Sequence, residues 1–187
     1  MQTRYLTFSL VFLFSQGLTA QAQAPDYPTV EIFGGYALSH QEGGANLNGW
    51  HGQAAFNLSE SLGLVADVSG HYMGDEDFVN GIAGLSDVRI ISYSVGPRAY
   101  NRAFEPASLF VHALFGQSRL VGQADIGGGA VERRLFRPFT LALGGGVDYE
   151  LTDGVSLRLV EIDYRLLRIE SSNSNGIRVS TGVTFGF

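Results

Sequence analysis

Hydrophobic and polar residues alternate strictly over Ile177–Phe187. Ile177, Val179, Val183, Phe185 and Phe187 share one parity, with Thr181 the only polar member, and Arg178, Ser180, Gly182, Thr184 and Gly186 share the other. A two-residue period describes a β-strand with two unlike faces. Its length is about what crosses a bilayer when the strand is tilted.

Seven further segments carry the same signal. The first, Thr29–Leu38, sets Val30, Ile32, Gly34, Tyr36 and Leu38 on one face, and the second, Gly49–Leu58, sets Trp50, Gly52, Ala54, Phe56 and Leu58. In the third, Leu62–Tyr72, the series Leu62, Leu64, Ala66, Val68 and Tyr72 opposes Asp67, Ser69 and His71. In the fourth, Val88–Tyr100, Ile91, Tyr93 and Val95 oppose Ser92, Ser94, Gly96 and Arg98. The fifth, Leu109–Arg119, is apolar on both faces through Leu109-Phe110-Val111, so its register stays open. The sixth, Pro138–Tyr149, is the clearest: Phe139, Leu141, Leu143, Val147 and Tyr149 oppose Thr140, Ala142, Gly144, Gly146 and Asp148. The seventh, Val155–Arg168, puts Val160, Ile162, Tyr164 and Leu166 opposite Glu161, Asp163 and Arg165. Arg158 falls on the apolar parity there, which implies either an interfacial side chain that snorkels or a bulge that shifts the register.

The connections alternate in length. Ser59-Glu60-Ser61 and Leu151-Thr152-Asp153-Gly154 are short, and Asn101–Ala107, which contains Pro106, is somewhat longer; Ser39–Asn48, Met73–Asp87, Leu120–Arg137 and Glu170–Gly176 are longer or polar. Short turns on one side and long loops on the other are what an up-and-down barrel spanning a membrane shows. The predicted fold is all-β, an eight-stranded antiparallel up-and-down transmembrane β-barrel. Near the start, Arg4 precedes the largely apolar run Tyr5–Phe14 and the small-residue series Ala20-Gln21-Ala22-Gln23-Ala24. That order reads as a secretory signal cleaved after Ala22, leaving 23–187 as one barrel domain with both mature termini in the periplasm.

Composition narrows the class. The chain has no Cys, so a disulfide frame or a lipid-modified Cys is excluded, and the net charge of -6 argues against a nucleic-acid surface. Only 16% of residues are charged, there are 25 Gly, and all 12 basic residues are Arg. The polar parity is rich in Gly, Ala, Ser and Thr. Small residues suit a crowded narrow cylinder and poorly suit a solvated exterior, which separates this pattern from a soluble barrel. Tyr36, Trp50, Tyr72 and Phe139 fall toward one edge and Tyr149, Phe185 and Phe187 toward the other, as interfacial girdles do.

The ending Gly182-Val183-Thr184-Phe185-Gly186-Phe187 resembles the terminal targeting signal of bacterial outer-membrane proteins. With the signal peptide and eight strands, the mature chain resembles the small barrels of the OmpA-like and OmpX-like superfamily. The resemblance implies location in the cell outer membrane, contact with outer-membrane lipid and lipopolysaccharide, and a monomeric state. It also implies that the barrel-assembly machinery reads Val183, Phe185 and Phe187. No counterpart of the family's peptidoglycan-gripping domain is expected, since the sequence given ends at Phe187.

Inward parity selects Glu31, Asp67, Arg98, Asp148, Glu161, Asp163, Arg165 and Arg178 as a polar network in the lumen, with His51 and His71 of similar placement. Buried ions need partners, and Arg forks can bridge carboxylates. An eight-stranded cylinder is just wide enough for its own side chains to fill. The expected role is therefore structural or surface-interactive, with a low-conductance channel as the alternative. A lipid-modifying hydrolase is a remoter alternative, because no Ser or Asp nucleophile with a base and a third member is evident among His40, His51, His71 and His112. No catalytic residue, cofactor or metal is expected. Asp75-Glu76-Asp77 lacks a calcium-loop spacing, and Gly127-Gly128-Gly129 lacks the Lys and following helix of a phosphate cradle. Arg133, Arg134 and Arg137, in the third long connection, could meet lipopolysaccharide phosphates.

Overall fold

The computed structural model describes residues 27–41, 46–72, 85–125, 131–169 and 172–187. The proposed signal segment, Asp75-Glu76-Asp77 and Gly127-Gly128-Gly129 lie outside them, as do the side chains of Arg133 and Arg134. Among the described residues the elements are β1 (Val30–Gln41), β2 (Asn46–Ser59), β3 (Leu62–Tyr72), β4 (Leu85–Phe104), β5 (Ala107–Asp125), β6 (Val131–Phe136), β7 (Phe139–Thr152), β8 (Val155–Ile169) and β9 (Ser172–Gly186).

All neighbours run antiparallel in the order β4-β3-β2-β1-β9-β8-β7-β5-β6, and a further β4–β5 ladder closes the sheet on itself. β6 and β7 are two pieces of one stave: both pair with β5 in one continuous register, Leu120↔Phe136 in one ladder and Gln117↔Phe139 in the other. They part at Arg137-Pro138, where Pro has no N–H to give a ladder. The result is a closed barrel of eight staves. β9 meets β1 from Glu31↔Gly186 to Gln41↔Gly176, so no edge is left at the seam.

Alternation builds this wall. Side chains on one parity point out and stay exposed, including Tyr36, Trp50, Phe56, Tyr93, Phe115, Phe139, Ile162 and Phe185. Those on the other parity point in and are buried. This inside-out arrangement, apolar outside and polar within, is stable only against hydrocarbon. Strand five takes the register that buries Phe110 and turns Leu109 and Val111 outward.

Strands run further than the alternation suggests. β1 reaches Gln41 and β2 starts at Asn46; β4 continues to Phe104, leaving Glu105-Pro106 as the turn. The expected loop Leu120–Arg137 is mostly a hairpin of β5 and β6, and Ser172–Gly176 belongs to β9 instead of a loop tip. Beyond the bilayer neither face of a strand must be apolar, so hydrogen bonding between neighbours persists without an amphipathic pattern to announce it.

Arg158 is not on the lipid face. Val147 pairs with Val160 but Asp148 pairs with Arg158, so Leu159 is an extra residue on β8. Opposite, the β8–β9 register breaks between Arg158 and Glu161. The bulge turns Leu159 outward and brings Arg158 and Glu161 to the same inner face. Thr181 Oγ1 donates to the Arg158 carbonyl at 2.9 Å, which holds the kink.

Candidate functional site in the lumen

Two guanidinium groups organise the middle of the barrel. Arg178 on β9 donates from Nε to Asp163 Oδ2 at 2.8 Å and from Nη2 to Asp67 Oδ2 at 3.0 Å, with Glu161 Oε1 at 3.8 Å. Arg158 on β8 forks onto Asp148, Nε to Oδ1 at 2.7 Å and Nη2 to Oδ2 at 2.8 Å, and its Nη1 reaches Glu161 Oε2 at 2.6 Å. Paired, planar contacts of this kind offset the desolvation of both partners.

Gln53 joins the two groups. Its Nε2 donates to Glu161 Oε1 at 2.8 Å and to Asp67 Oδ2 at 3.1 Å, while its Oε1 accepts from Arg158 at 2.6 Å and also from Arg98. Arg98 itself lies over the Phe110 ring at 4.2 Å, and Arg158 over Phe33 at 4.2 Å. Aromatic faces thus add to the guanidinium contacts that polar groups make in the guanidinium plane. His112 Nε2 sits 2.7 Å from Asp163 Oδ1, and His51 Nε2 sits 2.5 Å from Asp67 Oδ2.

Gly144 makes the packing possible. It faces Asp163 across the β7–β8 ladder, and a Cβ there would fall 1.9 Å from Asp163 Oδ1 and 2.5 Å from the Ile162 carbonyl.

Toward the short-turn end, Glu31 accepts from Asn57 Nδ2 at 2.9 Å, Tyr100 Oη at 3.0 Å and Arg102 Nη2 at 2.6 Å. Arg102 also donates to the Glu60 carbonyl and lies 4.1 Å above the Tyr100 ring, tying the β2–β3 turn to β4. Below this lid a cavity of about 640 Å³ opens at the turn end, with Tyr27, Pro28, Asp148 and Phe187 in its wall.

Toward the long-loop end the pattern changes. Arg165 is 2% exposed, yet its one hydrogen bond among the described residues is Nη2 to Ser92 Oγ at 2.5 Å. Ser92, Ser118 and Thr140 form a hydroxyl chain with two 2.7 Å links. His71 is fully buried with neither ring nitrogen bonded among the described residues.

All eight charges assigned to the lumen by parity are buried. Six of them, Asp67, Arg98, Asp148, Glu161, Asp163 and Arg178, share the connected network; Glu31 belongs to the separate group at the short-turn end, and Arg165 stands toward the long-loop end. The parity reading passed over Gln53, Asn57, Tyr100, His112 and Arg102; for Arg158 the bulge, and not the interfacial position, is what the register shows. With Arg102 and Arg158 included, five carboxylates (Glu31, Asp67, Asp148, Glu161, Asp163) face five guanidinium groups (Arg98, Arg102, Arg158, Arg165, Arg178) among the described residues.

Two other chemistries come close. Ligand atoms of His51, Asp67 and Glu161 lie within 4.8 Å of one another, as do those of His112, Glu161 and Asp163. Arg158 and Arg178 already bond these same carboxylates, so a metal ion would have to displace a guanidinium. Ser180 Oγ is 3.0 Å from His51 Nδ1, giving a Ser–His–Asp series with Asp67. Ser180 is 2% exposed on the inner face. A lipid ester would lie on the other side of the wall.

Fold and lumen together define an outer-membrane transmembrane β-barrel. A family model described as outer membrane protein beta-barrel domain matches residues 7–187, and the chain belongs to that family. No curated protein matches the chain. Among solved structures, Neisserial surface protein A superimposes with a TM-score of 0.65 at 17% identity, covering 85% of this chain and 97% of that one. Ail, the attachment invasion locus protein of Yersinia pestis, solved with the heparin analogue sucrose octasulfate, gives 0.57 at 20% identity over 83% and 97%. OprG from Pseudomonas aeruginosa gives 0.56 at 9% identity over 87% and 97%. These likenesses establish the fold. Membership of the family places the chain in the outer membrane.

Proposed function

We propose that this barrel is a closed, surface-interacting protein of the outer membrane whose lumen is a structural plug and whose long-loop end meets partners. The observation that carries the reading is the three-stranded sheet that outgrows the barrel. The β3–β4 ladder ends at Tyr72↔Arg89, yet β4 and β5 continue to Leu85↔Ala124, and β5 and β6 pair on to Asp125↔Val131. β4 and β5 contain 20 and 19 residues, against the roughly 9–11 that cross a bilayer. Among the described residues β6 has no ladder partner on its other side. Unpaired backbone donors and acceptors of this kind can accept an added strand.

In this reading the short turns and both termini face the periplasm and the sheet projects from the cell. Val183 and Phe185 lie on the outer face of β9 and the exposed Phe187 follows it, where the assembly machinery can grip them during insertion. The protein is monomeric, and its chemistry is binding, not catalysis.

Refolded protein in planar bilayers is expected to show no stable conductance. Cells displaying it are expected to adhere to matrix-coated surfaces, and to lose adhesion when 122–134 is replaced by a tight turn that leaves the heat-modifiable barrel intact. Discrete unitary openings, or unchanged adhesion after trimming, would refute the proposal.

A further inference from the structure

Exposed charge on the outer wall is sorted by height. Among the described side chains, the exposed carboxylates Glu60, Glu105, Glu150 and Asp153 all lie at the short-turn end, whereas the exposed Arg89, Arg119, Arg137 and Arg168 all lie at the long-loop end. The four Arg come from adjacent staves. Arg89 pairs with Val121 and Ile91 with Arg119, so Arg89 and Arg119 are diagonal neighbours. The shared register of the two β5 ladders, Leu120↔Phe136 and Gln117↔Phe139, sets Arg119 across from Arg137. Arg168 pairs with Phe139, two residues from Arg137 on the same face.

The four therefore form one zigzag of positive charge on the β4-β5-β7-β8 wall. No carboxylate lies within 4.0 Å of any of them among the described residues. Like charges opposite or diagonal on a sheet repel, so the cluster is costly unless anions sit on it. On the opposite wall, among the described residues, His40 Nδ1 contacts Asn46 Oδ1 at 2.7 Å, and Tyr36 Oη donates to Asn48 Oδ1 at 2.9 Å.

Height identifies the anion. The Arg rung adjoins the aromatic girdle: Arg89 lies 5.2 Å above the Tyr72 ring, and Tyr93 and Phe139 are exposed beside it. Girdle residues mark the level of lipid headgroups. Guanidinium forks match phosphate oxygens two at a time, which suits a headgroup carrying more than one phosphate. We infer that Arg89, Arg119, Arg137 and Arg168 form a one-sided binding site for the phosphates of an outer-leaflet phosphorylated glycolipid. The outer-leaflet assignment rests on the orientation given under Proposed function. Phosphate recognition itself does not depend on orientation, so the two can fail separately.

The test is native mass spectrometry of refolded full-length protein in detergent, with bisphosphorylated lipid A as the probe. Wild type should retain the glycolipid. The fourfold Arg→Gln variant should retain it less by on the order of tenfold or more, while migrating as a heat-modifiable barrel, and fourfold Arg→Lys should recover part of the binding. His40→Gln with Asn48→Gln, on the opposite wall, should bind as wild type does. Equal retention by wild type and the Arg→Gln variant would overturn the inference. So would equal binding of dephosphorylated lipid A or phosphatidylglycerol, or displacement by equimolar inorganic phosphate. Correct binding in detergent alongside cell-surface labelling of the short turns would leave the phosphate site standing and reject only the leaflet.

Discussion

The two halves of the lumen handle buried charge in opposite ways. In the middle, Arg178 and Arg158 each bond at least two carboxylates, and Gln53 bridges what remains. Four residues nearer the long-loop end along β8 from Glu161, Arg165 has a hydroxyl for its partner, and His71 has none among the described residues. Both halves are equally hidden from solvent. Burial alone therefore does not tell which ions hold the barrel together; the number of partners left behind when one is removed does.

Arg178→Met should give the largest effect. Asp67, Glu161 and Asp163 would then share the mid-lumen with one fewer cation, a loss of about 3–5 kcal/mol. Urea unfolding in liposomes measures it. Gly144→Ala comes next, at about 1–3 kcal/mol, because its Cβ collides with Asp163 and with a strand carbonyl that cannot move independently. Arg165→Met should cost no more than about 1 kcal/mol, the worth of one hydrogen bond less the guanidinium's own desolvation. If Arg165→Met matched Arg178→Met in the same assay, the contrast between the halves would collapse.

How much of this could be read beforehand follows from what alternation records. Period-two parity depends only on which face a side chain takes, so it located Glu31, Asp67, Arg98 and Asp148 along their staves. It has no means of counting an inserted residue, so Leu159 left Arg158 open between an interfacial position and the bulge that the register shows. Gln53 and Tyr100 share the inward parity of recognised positions, but an uncharged side chain does not interrupt a pattern of small polar residues, and His112 lies on the strand whose register stayed open. Their signal was position, not residue type. The β5–β6 hairpin escaped for another reason: beyond the bilayer neither face must be apolar, so nothing in the order of residues distinguishes a strand from a loop. The Arg zigzag needed register, since Arg89 and Arg168 are far apart in sequence and meet only through β5 and β7.

The smallest expected effect is the most discriminating. His71 and His51 both sit on the inner face, His51 bonded to Asp67 and Ser180 and His71 to nothing described. An unbonded buried imidazole retains its desolvation cost with no return, so an apolar replacement of similar bulk should be close to neutral. His71→Leu should change unfolding free energy by less than about 1 kcal/mol, with either sign acceptable. His51→Leu, which takes a partner from Asp67, should cost about 1–3 kcal/mol in the same liposome titration. A loss above about 2 kcal/mol for His71→Leu would mean that the imidazole has a strong partner. The loop-side half would then be as fully bonded as the middle, and the contrast would belong to residue type rather than to position in the barrel.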